Sequence, residues 1–286
     1  MISDMDSKRS FVLGRFMGFF ALFLCVLACI GLISGCSALK SDKKDKPSVP
    51  SAPRWTASFV GYACSWDWHT IKPKQLADVL DYVGANITLI EIDFKKPPQF
   101  VADWVKPFRD KKITVEIILV NANTKSARDR STAEFKKYFN DLKIALKTTD
   151  YILMQAVTEP GNRGGDKNKL REWIKYANDN WPGKKVQSVR DGWWGNDFKV
   201  DYAEHHWCKD YPENVIKTGN HITTTDCTPL INLPPERVYS MTKKFLKKKA
   251  HFIYYHADWA STKPGGKPTQ IDYGKLDAIK RAVEGK

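Results

Sequence analysis

The sequence predicts a single (β/α)8 barrel, an α/β fold, occupying residues 55–286, and three observations carry that expectation. From Trp55 onward, short β-rich runs alternate with amphipathic helical stretches, the pattern of parallel strands with helices outside. Eight such runs fall at 57–64, 87–94, 113–121, 151–158, 185–190, 201–207, 221–226 and 251–257. The stretch has the length of one barrel, whose chemistry would lie at the C-terminal ends of its strands. An open doubly wound sheet is the competing arrangement, but no Gly-rich phosphate loop follows the first run, which reads Gly61-Tyr62-Ala63-Cys64.

Composition sets the outer bounds. The chain has 286 residues, of which 42% are hydrophobic, so it can bury a sizeable core, and disorder is excluded as its dominant state. It carries +14, and residues 1–35 hold only Lys8, Arg9 and Arg15 against Asp4 and Asp6, so the body keeps +13 without them. That excess favours anionic polymers or surfaces, although Lys243-Lys244 and Lys247-Lys248-Lys249 also read simply as the solvated face of a helix. No recognised nucleic-acid motif accompanies the charge, and nucleic acid is not expected as a partner. No repeat of solenoid or propeller length is evident.

Along the chain, the first element is a leader. Phe16 to Leu32 is an uncharged run of 17 residues behind Lys8, Arg9 and Arg15, the layout of an export signal with its positive residues kept inside. The run ends in Ile33-Ser34-Gly35-Cys36, which resembles the lipobox of bacterial lipoproteins. The resemblance implies that residues 1–35 are a signal peptide and that Cys36 is acylated and becomes the mature N-terminus. Ser37 resembles a signal for the outer membrane if the host has two. An uncleaved anchor is the alternative, because the run sits at the short limit for spanning about 30 Å of hydrocarbon. Both readings tether the body outside the cytoplasmic membrane. Residues 36–54 are the lipidated Cys36 and a Pro-, Ser- and Lys-rich stretch without apolar period, read as a flexible linker.

Helical stretches are expected at 73–84, 98–110, 131–147, 166–180, 234–249 and 272–284, with Ser131 and the Pro234-Pro235 pair as start signals. The connections after the fifth and sixth strands are short and irregular. Cys64, Cys208 and Cys227 remain in the body, with Cys208 and Cys227 the preferred pair if one disulfide forms, and no C-x-x-C spacing suggests zinc.

Strand parity then locates polar groups. In the second strand, Ile90, Ile92 and Phe94 suit packing under helices, while Leu89, Glu91 and Asp93 share the other face and point two carboxylates at the barrel mouth. In the fourth strand, Leu153, Gln155, Val157 and Glu159 share a face, and Pro160 stops the strand behind Glu159.

Thr158-Glu159-Pro160 at the end of the fourth strand resembles the clan A barrel glycoside hydrolases, whose acid/base Glu closes that strand, usually as Asn-Glu and often followed by Pro. The resemblance extends to His205 and His206 ending the sixth strand and to Trp259 after the eighth, where such enzymes place a His or Tyr near the nucleophile and a Trp under the sugar. Two departures stand out: Thr158 replaces the Asn, and the Glu nucleophile expected at the end of the seventh strand is absent, with Asp226 the nearest carboxylate.

Glycosidic cleavage needs one carboxyl that donates a proton to the leaving oxygen and another, ionised, that attacks or activates water; it calls for no metal and no cofactor. Glu159 is the expected acid, and the partner is ranked Asp226, then Asp258, then Asp93. Each also reads as an ion-paired or solvated acid. Trp66, Trp68, Trp193, Trp194, Trp207 and Trp259 fall at or beyond strand ends, where indole faces stack on sugar or else cap the core. Trp193 and Trp194, flanked by Gly192, Gly195 and Asn196, are the least core-like. Substrate contacts are therefore expected from Glu91, Asp93, Trp193, Trp194, His206, Asp258 and Trp259.

Two other functions compete. Glu91-x-Asp93 is similar to the cation-holding carboxylates of barrel phosphodiesterases, with His69 as their acid/base, but their His-Arg start on the first strand is missing. A barrel that binds glycan without cleaving it is equally compatible with an incomplete carboxylate pair.

Overall fold

The computed structural model describes residues 59–63, 72–94, 96–159, 166–188, 199–206, 220–224, 233–254 and 272–286, with the backbone alone for Phe59 to Ala63 and for His206. All of them belong to one compact unit, Ala52–Lys286. Cys36, Asp226, Asp258, Trp193, Trp194 and Trp259 lie outside the described residues, as do Cys64, Cys208, Cys227, His69, Trp66, Trp68 and Trp207.

Eight parallel strands close into a barrel in chain order, each beside the next and the first beside the last. They are β1 (Phe59–Ala63), β2 (Ile87–Glu91), β3 (Thr114–Asn121), β4 (Ile152–Thr158), β5 (Lys184–Ser188), β6 (Tyr202–His206), β7 (His221–Thr224) and β8 (His251–Tyr254). All eight lie within or within a residue of the runs expected from the sequence. The runs Ile87-Thr88-Leu89-Ile90 and Thr114 to Val120 are rich in β-branched residues and buried throughout, as a sheet covered on both faces requires.

Alternation along each strand builds two cores. Ile87, Leu89, Ile118, Leu153, Val186, Tyr202, Ile222 and Ile253 form a cluster of their own inside the barrel. Ile90, Ile92, Ile117 and Met154 belong to the larger outer cluster, with Leu80, Phe108, Phe139 and Trp173. Each such side chain contributes roughly 1.5–3 kcal/mol by leaving water.

The described helices are α1 (Pro73–Tyr82), α2 (Pro98–Asp110), α3 (Lys125–Asp129), α4 (Thr132–Leu146), α5 (Lys167–Asn180), α6 (Pro235–Lys247) and α7 (Tyr273–Val283). Pro starts α1, α2 and α6, where its missing N–H has no partner to lose. Ser131 caps α4 through a reciprocal pair with Glu134, and Asp166 accepts from the Asn168 and Lys169 N–H groups at the start of α5. The five-residue α3 was not foreseen; Thr124 caps it by accepting from the Ala127 N–H.

Two polar features of the interior also went unforeseen. Glu116 and Glu204 lie fully buried inside the barrel, and Gln155 between them donates Nε2 to Glu116 Oε1 at 3.2 Å and to Glu204 Oε2 at 2.6 Å. Burying carboxyl groups is costly without donors, and this amide serves two at once. The parity reading placed Gln155 correctly, whereas Glu116 and Glu204 resemble ordinary surface acids until their strands are paired.

Candidate active site at the ends of β2, β3 and β4

Helices run back along the barrel, so the C-terminal ends of the strands form one face. Glu91 is the last residue of β2, and the strand does not reach Phe94 as its composition suggests. Asp93 and Phe94 take φ of 50° and 56°, left-handed values that break the alternation. Parity therefore stops governing Asp93 before its side chain leaves the backbone. Asp93 Oδ1 accepts from Thr124 Oγ1 at 2.5 Å, and Ser126 Oγ lies 3.3 Å from Oδ2. Asp93 is thus tied to the first turn of α3. With Thr124, Lys125, Ser126, Asp129 and Arg130 it lines an open pocket of about 450 Å³.

Phe94 turns the other way, under the helices. It meets Tyr138 edge-on at 5.0 Å and Phe135 at 5.9 Å. Burial pushes the Tyr138 hydroxyl well above the usual tyrosine range, so it stays protonated and donates to the Lys96 carbonyl at 2.7 Å. That aromatic contact anchors the connector carrying Asp93.

Glu159 follows the last residue of β4 and also takes a left-handed φ, 51°. Such a backbone is unfavourable for a glutamate, and strain of this kind concentrates at functional positions. Its Oε2 accepts from Asn123 Nδ2 at 2.6 Å. Asn123 is in turn fixed by its backbone, its N–H donating to Asn121 Oδ1 at 2.9 Å and its carbonyl accepting from Arg128 at 3.1 Å. Asn121 completes the line with a long bond of 3.5 Å from Nδ2 to Glu91 Oε2. A chain of two amides therefore links the acids that end β2 and β4 across the end of β3. Chemically, this arrangement presents an oriented carboxyl at an open strand end with an amide donor beside it.

Thr158 occupies the position that the resemblance gives to Asn, and it is fully buried, its carbonyl accepting from the Ala122 N–H at 3.1 Å. The amide beside the acid comes in space from the connector after β3. Neither Asn121 nor Asn123 was singled out in the sequence. The signal that could have found them is two Asn residues spaced by one at the end of a strand flanking β4.

On β6, Tyr202 and Glu204 face inward, so alternation turns His205 outward. Its Nε2 lies 2.7 Å from Nδ1 of His221 on β7. His205 is thereby removed from the mouth, where the resemblance placed it. His206 has its backbone opposite Thr224, and its side chain is outside the described atoms.

No protein-family model matches the chain, and no curated protein matches its sequence. Solved structures do resemble it. A GH30 endoxylanase from Clostridium papyrosolvens aligns with a TM-score of 0.56 and 11% identity, over 80% of this chain and 72% of its own. The catalytic domain of a chitinase from Pyrococcus furiosus aligns at 0.54 and 12%, over 79% and 96%. A GH5 cellulase from an Icelandic hot spring isolate aligns at 0.52 and 12%, over 80% and 88%. The chain has the barrel fold of these hydrolases. Identity at this level carries the architecture and leaves the chemistry to the site.

Proposed function

We propose that the protein is an exported, lipid-anchored glycoside hydrolase acting on a cell-envelope or extracellular polysaccharide, with Glu159 as its general acid/base. The observation that carries this reading is the placement of Glu159: it directly follows β4 on the face where barrel enzymes hold their chemistry, with its Oε2 oriented by Asn123. Glu159 donates its proton to the glycosidic oxygen as the bond to the anomeric carbon breaks. A second carboxylate either attacks that carbon or takes a proton from the water that does. Asp226 is assigned that role, with Asp258 next. Asp93, already engaged by Thr124 and Ser126, is the weaker alternative and fits a substrate contact at the pocket beside α3. Glu91, Trp193, Trp194, His206 and Trp259 complete the proposed contacts with sugar, and the lipid on Cys36 holds the enzyme to a bacterial membrane, the outer one where the host has two.

Glu159→Gln tests the reading, since it keeps the shape and removes the proton. Release of reducing sugar from a panel of envelope and plant polysaccharides should fall by roughly 10²-fold or more. Asp226→Asn should be comparably damaging. If the wild type cleaves nothing yet binds one of the panel, and loses that binding on Trp259→Ala, the protein is a glycan-binding module and the hydrolase reading is wrong.

A further inference from the structure

Basic charge is concentrated at the C-terminal ends of α6 and α7, whereas at the ends of α1, α2 and α5 and before β6 acids pair with lysines, Asp81 with Lys111, Asp110 with Lys106, Asp179 with Lys175 and Asp201 with Lys184. In a parallel barrel the helix C-termini and the strand N-termini share the face opposite the candidate site. On that face α6 ends in Lys243, Lys244 and Lys247, and its connector to β8 adds Lys248 and Lys249, all five exposed and without an acidic residue among them. The neighbouring α7 ends in Lys280 and Arg281, and Lys286 beyond it pairs with Glu284 at 2.7 Å. Lys243, Lys244 and Lys247 line an open depression of about 380 Å³ floored by Leu246 and Ala282. Among the described residues of the site face, by contrast, basic and acidic groups alternate: Asp93 and Lys125, Asp129 and Arg130, Asp166 and Lys167.

Backbone conformation points the same way. The helices α1 and α7 are followed by Gly84 and Gly285 at φ of 73° and 75°, the usual residue for a left-handed helix end. After α2, α4 and α6 the corresponding left-handed positions are Lys112, Lys147 and Lys249, at φ of 59°, 60° and 52°. A side chain there costs stability that glycine would not. In addition, Ile144 in the last turn of α4 is 72% exposed beside Lys143 and Lys147.

The chain from Cys36 also arrives at this face. It joins the barrel at Phe59, whose ladder partner is His251, two residues after Lys249. The intervening residues can span at most about 80 Å fully extended, and lysines among them precede the barrel.

We infer that this basic face docks on an anionic phospholipid surface, so that the barrel lies on the membrane with its candidate site turned outward. The inference rests on the lipid anchor proposed above. A single lipid with a polybasic patch is a recognised two-signal anchor, and exposed lysines hold anionic headgroups within a Debye length of about 8 Å. Ile144 adds an apolar group to the boundary.

The full chain, purified in detergent, is reconstituted with vesicles of phosphatidylcholine alone or with one third phosphatidylglycerol. Flotation on neutral vesicles reports the anchor, because it needs no headgroup charge. Amine acylation mapped by mass spectrometry reports the face. Lys247, Lys248 and Lys249 should be protected relative to Lys125 on anionic vesicles at about 0.05 M salt, and relabelled on neutral vesicles or near 0.5 M salt. Replacing all three by Glu should abolish the protection of the remaining amines of this face, Lys243 and Lys244, and these positions are exposed enough to leave folding intact. If the chain fails to float on neutral vesicles, the anchor reading fails; flotation on anionic vesicles alone, weakened about 100-fold or more by the triple replacement, would still support the face. Equal labelling on both vesicle types overturns the inference, as does protection by a soluble anionic polysaccharide but not by vesicles.

Discussion

Asn123 and Glu159 meet across 2.6 Å, joining the connector after β3 to the residue that follows β4. They are 36 positions apart, and the parallel pairing of β3 with β4, with Asn121 opposite Thr158, brings them together. The contact matters because Glu159 sits on a left-handed backbone just past the last residue of β4, so its carboxyl has to be oriented from outside its own element.

Asn123→Ala removes that orientation and leaves the acid in place. Turnover is expected to fall about tenfold, the order of one hydrogen bond, with KM within about twofold. Steady-state kinetics alongside a thermal melt check it: Asn123 is exposed, so the melting temperature should hardly move. A rise in KM with kcat unchanged would make Asn123 a substrate contact instead of a positioning residue.

The start of α4 makes a pH-dependent contribution. The Ser131 backbone N–H at 2.8 Å, the Ser131 hydroxyl at 2.9 Å, and Arg130 at 3.1 Å hold the Glu134 carboxyl below the ordinary glutamate range. Because the folded form is the more acidic, this stabilisation is fully present above about pH 4.5 and is lost as the pH falls below it, through the lowered value of the folded carboxyl. Ser131→Ala should lower stability at neutral pH by about 1 kcal/mol. Urea titrations at pH 7 and pH 3 should show the difference between the variant and the wild type shrinking at the lower pH.

Lys249 offers a separation of stability from surface charge. At φ of 52° it occupies a conformation that favours glycine. Lys249→Gly should raise stability by about 1 kcal/mol, measured by urea denaturation, while weakening attachment to anionic vesicles. A variant no more stable than the wild type would mean that the lysine side chain contributes a compensating interaction where it stands.

Local pattern was enough to determine the barrel. Eight β-rich runs alternating with amphipathic stretches, Pro at three helix starts and the capping pair of Ser131 and Glu134 are each encoded within a few residues, and parity assigned Leu89 and Leu153 to the interior and Ile90 and Ile92 to the outer layer. Tertiary structure decided what parity could not reach. Asp93 and Glu159 lie where the strands have just ended and φ has become positive, so alternation no longer fixes their direction. His205 needed the inward facing of Tyr202 and Glu204 to reveal that it points away from the mouth. The amide beside Glu159 belongs to a different strand end, and the lysines of α6 and α7 became one face only when the barrel put the C-termini of these two helices side by side, next to the point where the chain enters β1. Periodicity is a property of a continuous segment, whereas a site or a charged face is a property of segments brought together by closure, and that adjacency is carried by long-range packing.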